Sequence, residues 1–316
     1  MAVSDHLINE RAINIGTRGS PLALAQAELT KVALLAAHAG LKPENITIVP
    51  IKTTGDKVQD RTLSEIGGKG LFTKEIEEAL IDGRVDLAVH SMKDMPTFLP
   101  DGLIIAAMLE REDPRDVLIS PVADSIASLP KGAIVGTASL RRQAQLLALR
   151  PDLKVQPLRG NVGTRLDKLA RGEAAATLLA LAGLKRLGRV DAATAILSTD
   201  DFLPAVAQGA IGLEIRENDP RVAALVAPLD HKPTTIAVTA ERAMLAVLDG
   251  SCRTPIAAHA EIFGTQLRLR GLIALPDGTE SHHAEDTGNA TLDGAAALGR
   301  ALGEKLKALA GPNFLA

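Results

Sequence analysis

The sequence predicts two open α/β sheets in series, followed by a smaller α+β domain. Three observations carry that expectation. Short branched apolar runs alternate with helix-length segments through the first two-thirds of the chain, the pattern that βαβ units leave in a sequence. The alternation restarts near Ala133, as a second sheet would require. Past Thr234 it gives way to two long strands with period-two alternation and a terminal helix, the mark of an antiparallel sheet with helices on one side.

In the first part, Ile13–Thr17 is a strand ending at Arg18, and Ser20-Pro21 supplies an N-cap and first-turn proline for a helix that stops at Gly40. Ile46–Ile51 is the next strand. After a Thr54-Gly55-Asp56 turn comes a polar stretch containing Gly67, Gly68 and Gly70, then a helix Phe72–Ile81 closed by Gly83. Val85–Val89 is a strand, and His90–Pro96 the loop leaving its C-terminal end. In the second part, strand Ala133–Val135 leads to a Ser139-capped helix Leu140–Leu149 that ends before Pro151. Strand Val155–Leu158, helix Val162–Ala170 and strand Thr177–Ala182 follow. In the third, a helix Thr234–Leu248 runs to Gly250-Ser251-Cys252. Strands Ile256–Phe263 and Gln266–Leu275, a Pro276-Asp277-Gly278 turn, a shorter third strand and a helix Gly294–Leu309 complete the chain.

Composition narrows the function classes. At 316 residues the chain has room for two or three domains, and 46% hydrophobic with 23% charged residues is ordinary for a soluble protein. The first eleven residues lack the apolar core of a leader, and no apolar run approaches the roughly 18 residues of a membrane span. The expected compartment is the cytoplasm, and nothing demands more than a monomer. A net charge of −3 argues against bulk nucleic-acid binding. One cysteine, Cys252, excludes an intrachain disulfide and any multi-cysteine metal site, and no metal is expected. Taken alone, Cys252 reads as a small buried hydrophobe.

The charge is unevenly spread. Between Thr137 and Gly172 there are eight lysines and arginines against two aspartates. Several sit where a strand turns into a helix: Arg141 and Arg142 after Ser139, and Arg159 and Arg165 around Gly160–Gly163. Arg18 repeats the arrangement in the first part. Free N–H groups at a helix start favour anions, and a guanidinium adds a two-pronged clamp for a carboxylate or phosphate. The implied ligand carries several negative groups. Against this stands one acidic candidate, Asp94, on a strand-exit loop where open α/β folds place working residues; an aspartate stabilising a turn before proline is the plainer reading. His90 reads as a core or capping residue.

Seven segments, in order, resemble the porphobilinogen deaminase family: Thr17–Leu24 (TRGSPLAL), Gly67–Glu75 (GGKGLFTKE), His90–Pro96 (HSMKDMP), Glu110–Asp116 (EREDPRD), Ser139–Gln143 (SLRRQ), Leu158–Leu166 (LRGNVGTRL), and Glu241–Ala243 with Gly250–Pro255 (GSCRTP). The resemblance implies three domains: 1–109 with 210–228, 115–205, and 232–316. The first two would be arranged like a periplasmic binding protein around a cleft, and the third would be the α+β cofactor-attachment domain. It implies a dipyrromethane cofactor held by a thioether to Cys252, and stepwise addition of four porphobilinogens, each losing ammonia, before hydrolysis releases hydroxymethylbilane. It assigns Asp94 the catalytic carboxylate. Arg18, Lys93, Arg141, Arg142, Arg159, Arg165, Arg186 and Ser139 match the positions that bind cofactor and substrate carboxylates. Gln26, Asp56 and Gln208 are weaker cleft contacts, and Gly55–Gly70 would be a mobile cover.

Three positions depart from the family's usual pattern: Ala138 for a second serine, Glu65 for a lysine in some members, and Ala207 for a glycine before Gln208. Two rival readings compete with the enzyme. A two-lobed solute-binding protein for a polycarboxylate ligand would share the architecture but needs no cysteine. A nucleic-acid binder using the helix from Leu140 would want stacking rings, yet the chain has five phenylalanines and no Trp or Tyr.

Overall fold

The computed structural model describes residues 12–57, 73–248, 255–311 and 314. These fall into two compact units. One takes in the described residues of Met1–Asp60, Gly68–Arg111 and Ala210–Thr235; the other those of Glu112–Gly209 and Ile236–Ala316.

In the first unit, β1 (Ile13–Arg18), β2 (Ile46–Ile51) and β3 (Leu87–Ser91) run parallel, with β1 in the middle. β10 (Ile211–Arg216) lies antiparallel between β3 and β4 (Leu103–Met108), giving the order β2-β1-β3-β10-β4. Helix α1 (Pro21–Ala37) starts where Ser20 Oγ accepts from the Ala23 N–H at 3.3 Å, with proline in its first turn. Its Ala27 and Leu34 pack with Ile13, Ile15, Leu87 and Leu213 on one sheet face. Helix α2 (Lys74–Ile81) covers the other face, packing Ile76, Ala79 and Leu80 against Val85, Ala88 and Leu103. Both faces are buried, so the strands read as near-continuous apolar runs.

The second unit repeats the plan. β6 (Ile134–Gly136) lies between parallel β7 (Lys154–Gln156) and β8 (Ala176–Ala180), and antiparallel β5 (Asp116–Ile119) joins β8 to β9 (Ala195–Ile196). Helix α3 (Leu140–Leu149) is capped by Ser139, and α4 (Val162–Ala170) by Asn161, which accepts from the Thr164 N–H at 2.9 Å. The same unit holds an antiparallel sheet of β11 (Ile256–Phe263), β12 (Gln266–Ala274) and β13 (Ser281–Asn289). The final helix, α5 (Leu292–Ala310), packs on β12 and β13. It also lies close against the long helix Lys232–Val247: a Cβ at Gly303 would meet Val247 Cβ at 2.7 Å.

The two α/β sheets and the three-stranded antiparallel sheet are those expected, with local differences. β3 continues through His90 and Ser91, so His90 belongs to the strand and not to the loop. β7 stops at Gln156, because Pro157 has no N–H to donate. β8 ends at Ala180, and the chain then turns into a short helix, Leu181–Arg186, whose first two residues, apolar Leu181 and Ala182, continue the strand pattern in the sequence. β13 is nine residues long, equal to β12; its exposed, polar side chains hide the alternation, as is usual at a sheet edge.

Candidate active site

In the first unit, the C-terminal ends of β1 and β3 open into a recess. Arg18, Ser20, Gln26, Thr73, His90, Ser91 and Asp94 are among the residues lining it. This is the edge at which open α/β sheets bind ligands. Asp94 and Lys93 sit on a 3-10 turn, Met92–Asp94, held by a 3.0 Å hydrogen bond from the Met92 N–H to the Ala210 carbonyl. The Met92 side chain fills the space over Gly212, where any Cβ would overlap its sulfur, and Met95, the next residue after the turn, is buried. The turn is therefore pinned at both ends, and the Asp94 carboxylate remains half-buried at the recess. Gln26, itself buried, hydrogen-bonds the Ser91 hydroxyl through Nε2 at 2.9 Å. Asp56 falls in the helical turn Thr54–Lys57, but its side chain is outside what the structure describes.

The second unit carries the other basic candidates. Arg141 and Arg142, each 5% exposed, face inward at the start of α3. Asp116 on β5 receives both: Arg141 Nη1 lies 2.7 Å from Oδ2, and Arg142 Nη2 donates to Oδ1 at 2.7 Å. Arg141 also donates to the Leu203 carbonyl and Arg142 to that of Leu178. Gln208 Nε2 adds a bond to Asp116 Oδ1 at 2.9 Å. Two guanidiniums share one carboxylate, so a single excess positive charge stays at this helix start. In the sequence Asp116 stands only at the end of the Glu110–Asp116 segment, with no role assigned; it precedes Arg141 by 25 residues, and only the fold brings them together.

Burial by itself would raise the Asp116 carboxyl, but the two guanidiniums outweigh it and hold the group well below the usual carboxylate range. A carboxyl lowered on folding contributes stability above its unfolded value, near about 4, and that contribution fades as the pH falls toward the folded value. Asp116→Asn is expected to destabilise the protein by about 3 kcal/mol or more at neutral pH. In thermal melts, the gap between variant and wild type is expected to narrow below about pH 4.

Arg159 and Arg165 flank the turn into α4. Arg165 Nε donates to the Gly160 carbonyl at 2.9 Å, and Gly160 sits at φ +118°, a conformation reserved for glycine. Arg159 Nη1 is buried with no hydrogen-bond partner among the described residues. A buried donor of this kind costs free energy until an acceptor arrives, so the position suits an incoming anionic oxygen. Arg186 donates to the Gly209 carbonyl at 2.6 Å, and burial pulls its guanidinium down to about 10. Ser139 spends its hydroxyl on capping α3.

Ala207 has φ +58°, the left-handed region that favours glycine, which accounts for the residue usual at this position. The strain, about 1 kcal/mol, is offset by its N–H donating to buried Glu241 Oε2 at 2.6 Å. The other Glu241 oxygen takes the Ala260 N–H at 2.8 Å, tying this turn to β11. Ala138 lies half a turn before α3, exposed. Glu65, Cys252 and most of Gly55–Gly70 lie outside the described residues.

Comparison with known proteins finds two family models. One described as "Porphobilinogen deaminase, dipyromethane cofactor binding domain" matches residues 13–224, and "Porphobilinogen deaminase, C-terminal domain" matches residues 235–308. A porphobilinogen deaminase from Nitrobacter winogradskyi is 58% identical over 300 residues, covering 95% of this chain and 94% of its own. A chloroplastic porphobilinogen deaminase from Oryza sativa subsp. japonica is 54% identical over 304 residues, covering 96% and 85%. Among solved structures, an ABC transporter periplasmic substrate-binding protein from Coxiella burnetii is similar at 18% identity and a TM-score of 0.42, covering 69% of this chain and 91% of that one.

Proposed function

The chain belongs to the porphobilinogen deaminase family, and from that premise we propose how its own residues share the work of the reaction. The enzyme is a transferase of tetrapyrrole biosynthesis with porphobilinogen as its substrate. It joins four porphobilinogens head to tail with loss of ammonia, on a covalently bound dipyrromethane primer, and hydrolysis frees hydroxymethylbilane. When bound, the dipyrromethane group supplies the free pyrrole carbon from which growth starts. The residues present suit such a group: its side chains are carboxylates, and Nη1 of Arg159, buried without a hydrogen-bond partner among the described residues, suits an anionic oxygen.

In this reading Cys252 holds the primer through a thioether. Arg18, Lys93, Arg159, Arg165 and Arg186 bind the acetates and propionates. Arg141 and Arg142 contribute the excess positive charge that Asp116 leaves them, and Ser139, Gln26, Asp56 and Gln208 give polar contacts or hold those groups in place. Asp94 sets its carboxylate against the pyrrole N–H groups, stabilising positive charge on the reacting ring and steadying its protons. The observation that carries the assignment is the pinned turn presenting Asp94 at a sheet edge beside Arg18. The division into 1–109 with 210–228, 115–205 and 232–316 is supported by each part containing most or all of one sheet. We also take the protein to act as a cytoplasmic monomer, without nucleic-acid or membrane partners. The net charge supports the first exclusion, and no helix among the described residues is long and apolar enough to cross a membrane.

An ammonia-release assay tests the reading. One ammonia is expected for each porphobilinogen consumed; binding of porphobilinogen without ammonia would leave a solute-binding protein instead. Among the basic groups, Arg159→Ala is expected to lower kcat/KM by about tenfold or more, the scale of one charge-assisted bond of roughly 1.5–3 kcal/mol. Unchanged saturation by porphobilinogen would remove Arg159 from the site.

A further inference from the structure

Three titratable side chains lie together at the recess that holds Asp94. Antiparallel β3 and β10 pair His90 with Gly212 and Ala88 with Glu214, so His90 and Glu214 lie diagonally on one sheet face. Helix α2 packs over β3 and β10 and carries Glu77. His90 is 6% exposed, Glu77 7% and Glu214 0%. His90 Nε2 is 2.8 Å from Glu214 Oε2. Glu214 Oε1 and Glu77 Oε1 are buried without a hydrogen-bond partner among the described residues.

Such an arrangement is an expensive way to fill a sheet interior. Burying two carboxylates, each with an unpartnered oxygen, costs far more than an apolar pair of the same size. The cost falls when a proton is shared among the three groups. Burial, aided by the Glu214 charge, raises the Glu77 carboxyl above its ordinary range even against its Thr73 neighbour. Among the described residues, charged groups near the cluster include Asp94 and Arg18 at the recess, exposed Glu78 on α2, and Arg216 further along β10, where Asp219 pairs it. Only His90 reaches from the cluster into the recess, and its second ring nitrogen is not used by Glu214.

We propose that His90 is a proton-transferring residue of this site, with Glu214 and Glu77 as positioning residues that fix its tautomer and hold its proton. The proposal rests on the porphobilinogen reading above. In each addition the C–N bond of the protonated aminomethyl group of porphobilinogen breaks, its electron pair leaving with the nitrogen as ammonia, and a carbon–carbon bond forms between that carbon and a pyrrole α-carbon. That α-carbon then gives up one proton, its C–H electron pair restoring the aromatic ring. The proton passes to Nδ1 of His90 as the Nε2 proton moves to Glu214 Oε2. The reverse transfer delivers a proton from Nδ1 to ammonia, which leaves as ammonium. The relay returns to its starting state and no net proton is gained or lost by the protein.

The test combines kinetics with nitrogen NMR of the histidine rings. His90→Ala is expected to lower kcat by about a hundredfold, the usual scale for a general acid–base group, with KM within about threefold of wild type. Added imidazole should restore at least about tenfold of the loss, which a packing defect would not allow. Glu214→Gln should lower kcat by at least about tenfold and replace the single Nε2–H tautomer of His90 by a mixture. A kcat for His90→Ala within threefold of wild type, or a loss that imidazole leaves untouched, overturns the relay. If the variants do not fold, the wild-type spectrum decides: Nε2–H hydrogen-bonded to Glu214 supports the proposal, and an Nδ1–H tautomer overturns it. Wild type that releases no ammonia from porphobilinogen would instead strike at the family reaction, a failure distinct from that of the relay.

Discussion

Asp94→Asn is expected to lower turnover at saturating porphobilinogen by about a hundredfold or more, with the fold and the bound cofactor intact. The substitution is nearly isosteric, and what pins the turn is elsewhere: the Met92 N–H on the Ala210 carbonyl, and the buried side chains of Met92 and Met95. Only the charge changes. A carboxylate about 4 Å from a cationic centre, at an effective dielectric near 20, interacts by about 4 kcal/mol before desolvation. Part of that appears as barrier, at about tenfold in rate for each 1.4 kcal/mol. Turnover within threefold of wild type, from a variant that melts with the wild-type curve, would take Asp94 out of the chemistry and return it to holding a turn before Pro96.

Cys252→Ser is expected to abolish activity. The chain has one sulfhydryl, so a thioether-linked primer has a single possible sulfur. A serine hydroxyl is too weak a nucleophile at neutral pH to replace a thiolate. The effect should differ in kind from that of Asp94→Asn, since a chain without its primer has nothing to extend. Near-ultraviolet absorption reports the loss directly: with no Trp or Tyr, the polypeptide contributes little there, so the cofactor dominates the wild-type spectrum and should vanish in the variant. A serine variant with normal turnover would return Cys252 to the role of a small hydrophobe.

Much of this fold is legible in the sequence because its helices announce their starts. Ser20, Ser139 and Asn161 each cap the helix that follows, and the helices Leu140–Leu149 and Val162–Ala170 begin and end where caps and flanking residues place them. Two of the strands that escape notice carry buried charge. β10 contains Glu214 and β5 begins at Asp116, both wholly buried, and a charge inside a short apolar run disguises a central strand. β13 is legible only as a shorter strand than its nine residues, being an exposed edge with little apolar patterning. For the site, strand exits and helix starts direct attention to Asp94 and the arginines, since those are local features. The partners are not local: Asp116 meets Arg142 across 26 residues and Glu214 meets His90 across 124, and no spacing rule connects them. Glu77 is hidden differently, since a glutamate beside Glu78 on an amphipathic helix reads as solvent-facing, whereas Glu77 is buried against the sheet and Glu78 exposed.

The claim that the chain builds its product on a tethered primer is tested most directly by intact-protein mass spectrometry of an active preparation. The account predicts a mass above that of the 316-residue sequence by two linked pyrrole units, all of it on the peptide containing Cys252. A fully active protein with the unmodified sequence mass would contradict it.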